Sequence, residues 1–160
     1  MTKLYSTGTD IGTGWKVVLT QRVPKLASAA VPSMFEDLVG SVPELVDLGK
    51  FKASDYDWAL HPGGSTVITG VERAMHLTPE HLRASYETYI THGNSSSATI
   101  FSVMDRLLKG ENTDHIVGCA FGPGIAVEMM VLKRSAPRPD PGTVSPAESL
   151  TETLVAEDVD

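Results

Sequence analysis

The run Trp58-Ala59-Leu60-His61-Pro62-Gly63-Gly64 constrains this chain more than any other stretch. A residue before proline is pushed out of the helical region, so His61 should sit extended at the end of a short apolar strand. Two glycines then turn the chain, and Ser65 is placed to cap a helix running through Val67, Ile68, Val71 and Ala74 to Met75. The imidazole is therefore expected on a rigid strand-to-helix corner, where α/β folds commonly put working groups. From the corner alone, a hydrogen-bonded structural histidine is the commoner outcome.

A second stretch, His92-Gly93-Asn94-Ser95-Ser96-Ser97, has a similar build. Gly93 suits the left-handed end of one helix, and the serine-rich run suits the start of the next. Asn94 fits an N-cap there, worth about 1 kcal/mol. It equally fits a carboxamide donor that converges with His61. Two neutral N–H donors aimed at one point suit a thioester oxygen that becomes negative during acyl transfer, where one donor contributes about 2.7 to 4 kcal/mol.

Around these stretches the pattern is that of an α/β domain. Met1 to Thr13 reads as an irregular leader, and Trp15 to Thr20 as a strand. A helix from Lys25 to Leu38, kinked at Pro32, would turn Leu26, Ala29, Ala30, Met34, Phe35 and Leu38 inward. Gly40 to Ser54 suits a loop with one short helix. Thr78-Pro79-Glu80 reads as a helix start, with threonine as cap and proline in the first turn, and that helix should run to Gly93. Ser95 to Lys109 is a helix so apolar that it should be buried on more than one side. His115 to Phe121 and Ile125 to Lys133 read as two strands around Gly122-Pro123-Gly124, a tight turn that suits an antiparallel hairpin. From Ala136 onward, prolines and acids replace the apolar pattern, and this tail is expected to be disordered.

Composition excludes several functions. The net charge of −7 over 160 residues gives no basic footprint for nucleic acid or an anionic membrane, and no apolar run approaches the length of a membrane span. The start has no secretory h-region and Cys119 is the one cysteine, so a cytoplasmic location is the default. No His, Cys or acid cluster shows metal-ligand spacing. Cys119 lies mid-strand among Val117, Gly118, Ala120 and Phe121 and is read as a small apolar side chain. His92 reads as a cation near a helix end, and His76, His81 and His115 as surface residues.

Three motifs in order, Trp58 to Gly64, Gly93 to Ala98, and Phe121-Gly122-Pro123-Gly124 followed by an apolar strand, are those of a known family. From about Gly14 to Arg134 the chain resembles the C-terminal half of type III polyketide synthases, the chalcone and stilbene synthases, of the fungal kind. The resemblance implies an α/β fold class, one half of a thiolase-like fold with a mixed sheet and packed helices. The domain would span residues 14–135.

Members of this family are homodimers that use no cofactor beyond the coenzyme A carried by acyl-CoA and malonyl-CoA. By resemblance, His61 and Asn94 are the catalytic positions and work with a cysteine of the N-terminal half, outside these 160 residues. Ser96 would line the acyl cavity, Gly63, Gly64 and Thr66 would lie where the CoA arm enters, and Phe121, Gly122, Pro123 and Gly124 would form a pocket wall.

Two departures from the family pattern stand out. Val17 replaces a phenylalanine that gates the CoA tunnel, which points to a wider entrance and a bulkier starter, and Ala120 replaces a glycine. The expected partners are the N-terminal half or a full-length synthase. An inactive CoA-binding or synthase-pairing fragment is the alternative. Alone, the chain is expected to self-associate through its apolar helix.

Overall fold

The structure, a computed structural model, describes residues 5–10, 14–20, 22–110, 113–122 and 125–135. The expected pre-proline strand is β3, Asp57–Leu60. It pairs in parallel with β4, His115–Gly122, which pairs antiparallel with β5, Ala126–Lys133. The sheet is therefore mixed, as expected, and Gly122 pairs with Ala126 where the hairpin turns. Pro123 and Gly124 lie outside the described residues. Tyr5–Asp10 forms β1, antiparallel to β2, Gly14–Leu19. This corrects the reading of the first residues as an irregular leader: their threonines and tyrosine have strand propensity that the glycine content masked. The remainder of that leader and the tail from residue 136 lie outside the described residues.

Side-chain alternation divides the three-stranded sheet into two faces. Trp58, Leu60, Val117 and Cys119 join the larger core with α1 (Arg22–Gly40) and α3 (Ser65–Ala74). Ala59 and Ile116 point the other way, into a smaller cluster with Val103 and Leu107 of α5, Thr99–Leu108. At the side of β3, α4 (Arg83–His92) serves both clusters: Ala84 joins the smaller, and Tyr86 and Tyr89 flank the larger. This cover leaves Trp58, Ala59 and Leu60 fully buried although β3 is a terminal strand of the sheet.

The helices depart from the expected limits in instructive ways. The buried stripe of α1 is Ala27, Val31, Phe35 and Val39, whereas Leu26 is 42% exposed. The strict four-residue spacing of Ala27, Val31, Phe35 and Val39 decides which face is buried, and Leu26 falls beside it. The segment after α1 contains α2, Pro43–Asp47, which seats Leu45 in the core. Helix α4 begins at Arg83 and not at Thr78. The Thr78 N–H donates to His81 Nδ1 at 3.1 Å and the Thr78 hydroxyl lies 2.9 Å from the same atom, so a local turn takes up the capping groups. Within the described residues α5 is buried on one side only, and Phe101 and Leu108 are exposed. His115, expected at the surface, is buried against the Tyr56 ring at 6.4 Å; it begins β4 on the larger core face.

Arg134 ties the base of the sheet together. Its guanidinium donates to the Thr113 carbonyl (2.8 Å), the Leu107 carbonyl (2.9 Å) and Asp57 Oδ2 (2.8 Å), with both charged side chains less than one-fifth exposed. Arg134→Met is expected to lower unfolding stability by about 2 to 3 kcal/mol, because Asp57 and two carbonyls lose their donor. Urea unfolding checks this, and a loss below about 0.5 kcal/mol would show that solvent serves these groups as well.

Candidate active site

The His61 corner forms for the reasons its sequence gives. After Leu60 the chain stays extended, and the His61 N–H still donates to the Cys119 carbonyl at 2.8 Å. The chain then turns, with the Gly63 N–H on the His61 carbonyl at 2.9 Å. The helix cap is Gly64 and not Ser65: the Gly64 carbonyl accepts from Val67 (3.0 Å) and Ile68 (3.2 Å), while Ser65 is already helical. Gly64 is extended and not left-handed, so its lack of a side chain is not a conformational requirement.

His61 is 8% exposed, and burial lowers its pKa from the usual 6.5, which favours a neutral imidazole at neutral pH. Among the described residues no group hydrogen-bonds its ring nitrogens, so they are free to meet a ligand. By strand alternation His61 lies on the same face as Ala59, the side on which α5 packs.

Asn94 approaches from that side. Gly93 ends α4 at φ +67°, where glycine is favoured, and a single 3-10 turn, Ser96–Ala98, leads into α5. The Asn94 Nδ2 donates to the Gly63 carbonyl at 3.3 Å, and its Oδ1 accepts from the Ser96 N–H at 2.9 Å. A carbonyl on one side and an N–H on the other select the same orientation of the amide. One hydrogen bond thus joins the two sequence motifs, 31 residues apart. The carboxamide has two N–H donors, and one remains for a ligand.

The other expected positions are distributed around this pair. Gly63 and Gly64 are half-buried, a Cβ on Gly63 would rest 3.7 Å from His61 Cδ2, and Thr66 is exposed in the first turn of α3. Ser96 is exposed and has φ +63°. Phe121 and Gly122 lie at the same end of the sheet as His61, with Phe121 half-buried against the larger core. Val17 sits in the β1–β2 hairpin opposite Thr7, in a sheet separate from that of His61.

Cys119 is 1% exposed and burial pushes its thiol up to about 12, so it stays protonated and unreactive. A cleft of about 220 Å³ opens at the opposite end of β3, lined by Asp57, Glu80, His81, Arg83, Glu87 and Arg106. Glu87 pairs there with Arg83 (3.9 Å) and Arg106 (3.4 Å), which makes it a surface ion network remote from His61.

The chalcone and stilbene synthase C-terminal domain model matches residues 7–136. The chain belongs to the chalcone and stilbene synthase family. It is 40% identical over 131 residues to the type III polyketide synthase pspB of Penicillium soppii, covering 76% of this chain and 33% of that protein. Among solved structures, a type III pentaketide synthase from Neurospora crassa is 50% identical, with a TM-score of 0.74 over 82% of this chain and 37% of its own. CsyB, the acylalkylpyrone synthase of Aspergillus oryzae, solved in complex with CoA-SH, is 32% identical, with a TM-score of 0.73 over 82% of this chain and 36% of its own. The fold is thus thiolase-like, and the chain spans about a third of the length of the relatives it matches. The match extends into β1, ahead of the expected domain start at Gly14. No helix among the described residues is long and apolar enough to cross a membrane.

His61 also makes a pH prediction. Its folded pKa lies below that of the unfolded chain, so as the pH falls the unfolded state takes up the proton first. The stability gained by burying neutral His61 is complete above about pH 6.5 and is lost as the pH falls through that value towards the folded pKa. The denaturation midpoint should therefore drop between about pH 7.5 and 5.5, and drop less in His61→Gln. An equal drop in both would place the sensitivity elsewhere.

Proposed function

We propose that the chain supplies the oxyanion-stabilising half of a type III polyketide synthase, which condenses malonyl-CoA with an acyl-CoA starter and needs no cofactor beyond the substrates' own coenzyme A. The observation that supports this most directly is the hydrogen bond from Asn94 to the Gly63 carbonyl, which sets a neutral amide donor beside a buried imidazole. In this reading malonyl-CoA loses its carboxylate as CO₂, and the electron pair left behind passes into the thioester as an enolate. His61 and the free Asn94 N–H bind the enolate oxygen. The carbon then attacks an acyl group held on a cysteine from outside these 160 residues; a C–C bond forms and the thiolate leaves. His61 would also hold that cysteine as its thiolate, and the working enzyme would be a homodimer.

The test is malonyl-CoA decarboxylation and acyl-CoA condensation by this chain alone and mixed with a cysteine-bearing N-terminal half. Activity in the mixture that disappears with Asn94→Ala supports the proposal. Silence in a mixture whose halves associate favours a second reading, a synthase-pairing module. The exposed Phe101 and Leu108 on α5 favour that second reading. Cys119→Ser should leave turnover within about twofold, since its thiol acts only as packing. Complete loss in a folded variant would make Cys119 a participant.

A further inference from the structure

Thr99, at the first position of α5, is 1% exposed and lies just outside the Gly93–Ala98 motif. Its hydroxyl accepts from the Ser95 N–H at 2.8 Å and donates to the Ser96 carbonyl at 2.9 Å. Between these contacts lies a strained residue. Ser96 has φ +63°, a conformation that costs a side-chain-bearing residue about 1 kcal/mol and persists only where neighbours enforce it. Both of its backbone groups are enforced: the N–H by Asn94 Oδ1, and the carbonyl by Thr99 twice, through its hydroxyl and through the backbone N–H that closes the 3-10 turn. Loss of the hydroxyl leaves the carbonyl with the backbone N–H alone and leaves the Ser95 N–H without its acceptor, which lets Ser96 relax towards negative φ. That swings its N–H away from Asn94 Oδ1 and removes the bond that orients the amide. The Asn94 Nδ2 then loses its fixed aim at the Gly63 carbonyl, beside His61.

We infer that Thr99 is a positioning residue: its buried hydroxyl holds Ser96 in the left-handed conformation that orients the Asn94 carboxamide. The hydroxyl is what matters, because valine reproduces the shape of threonine but can neither donate nor accept. Serine keeps both bonds and loses only the methyl. The inference concerns the same site as the proposed function and takes from it the role of Asn94 as an oxyanion donor.

The experiment compares Thr99→Val and Thr99→Ser with the wild type by hydrogen exchange and by kinetics. Exchange of the intact chain is read on two peptides, one over residues 93–98 and one over the His61–Ser65 loop. Thr99→Val, which loses both bonds of the hydroxyl, should speed exchange about tenfold or more in both peptides, and Thr99→Ser should match the wild type. The distant loop is the discriminating readout, since a local defect at the start of α5 moves only the first peptide. Faster exchange confined to residues 93–98, or equal effects of serine and valine, would overturn the inference. If valine prevents folding, serine still decides, because faster exchange in Thr99→Ser at either peptide shows that the hydroxyl is insufficient.

In the enzyme reassembled with a cysteine-bearing half, Thr99→Val should lower kcat for malonyl-CoA decarboxylation ten- to a hundredfold with KM within about twofold, and serine should restore it. A rise in KM alone would assign Thr99 to substrate binding and sink the inference. If the wild-type mixture is silent, the proposed function fails, while the exchange data still decide the role of Thr99.

Discussion

His61→Ala, in the chain paired with a cysteine-bearing half, is expected to reduce malonyl-CoA decarboxylation about 10²- to 10³-fold, the usual cost of deleting one oxyanion donor. The effect should be large because the imidazole is buried, and water entering the space left by alanine would be a poorly oriented substitute. His61→Gln separates the two roles proposed for the ring. Glutamine retains a neutral N–H donor, so decarboxylation should recover to within about tenfold of wild type. It cannot accept a proton from the cysteine, so condensation, which needs the thiolate, should stay as low as in the alanine variant. Parallel steady-state assays of CO₂ release and product formation check this. Decarboxylation within threefold of wild type in His61→Ala would remove His61 from the mechanism.

The second large effect is on folding. Trp58→Ala should lower stability by about 3 to 5 kcal/mol, a large part of the total for a domain of this size. Trp58 is fully buried on β3, its Nε1 donates to the Ala53 carbonyl at 2.9 Å, and its ring packs 5.6 Å from that of Phe35 on α1. Trp58→Phe keeps most of the apolar area and loses the bond to Ala53, so about 1 to 2 kcal/mol should follow. Urea midpoints of both variants test the ranking, and equal values would show that the core collapses readily around position 58.

The parts of the fold that the sequence revealed are those governed by local chemistry. Pro62 forces His61 to be extended, Gly93 ends a helix at positive φ, and the two apolar runs on either side of Gly122-Pro123-Gly124 fit a hairpin. What could not be read depended on which local partner wins. Thr78 carries an ordinary capping signal, but its N–H and its hydroxyl both engage His81 Nδ1 in a local turn. Ser65 looks like a cap, but the Gly64 carbonyl already receives the first helical bonds. His115 seemed a surface residue because nothing in its neighbourhood of the sequence announces Tyr56, which lies one strand away.

The candidate site divides in the same way. His61 and Asn94 were each legible, but the contact between them runs through a backbone carbonyl, and no side-chain pattern encodes it. Thr99 does not stand out in the sequence, because a threonine among the apolar residues of a helix reads as packing. The available signal was a hydroxyl four residues after Ser95, within reach of the preceding turn.

The burial of Cys119 has a practical consequence. It is the one thiol in the sequence, and it is sealed behind the sheet that positions His61. An alkylating reagent can reach it only when β3, β4 and α1 separate, so the rate of labelling measures how often this sheet opens. In a reassembled enzyme the same reagent would mark the partner's cysteine at once and Cys119 only slowly. A single time course would then report both the readiness of the nucleophile and the integrity of the scaffold that serves it.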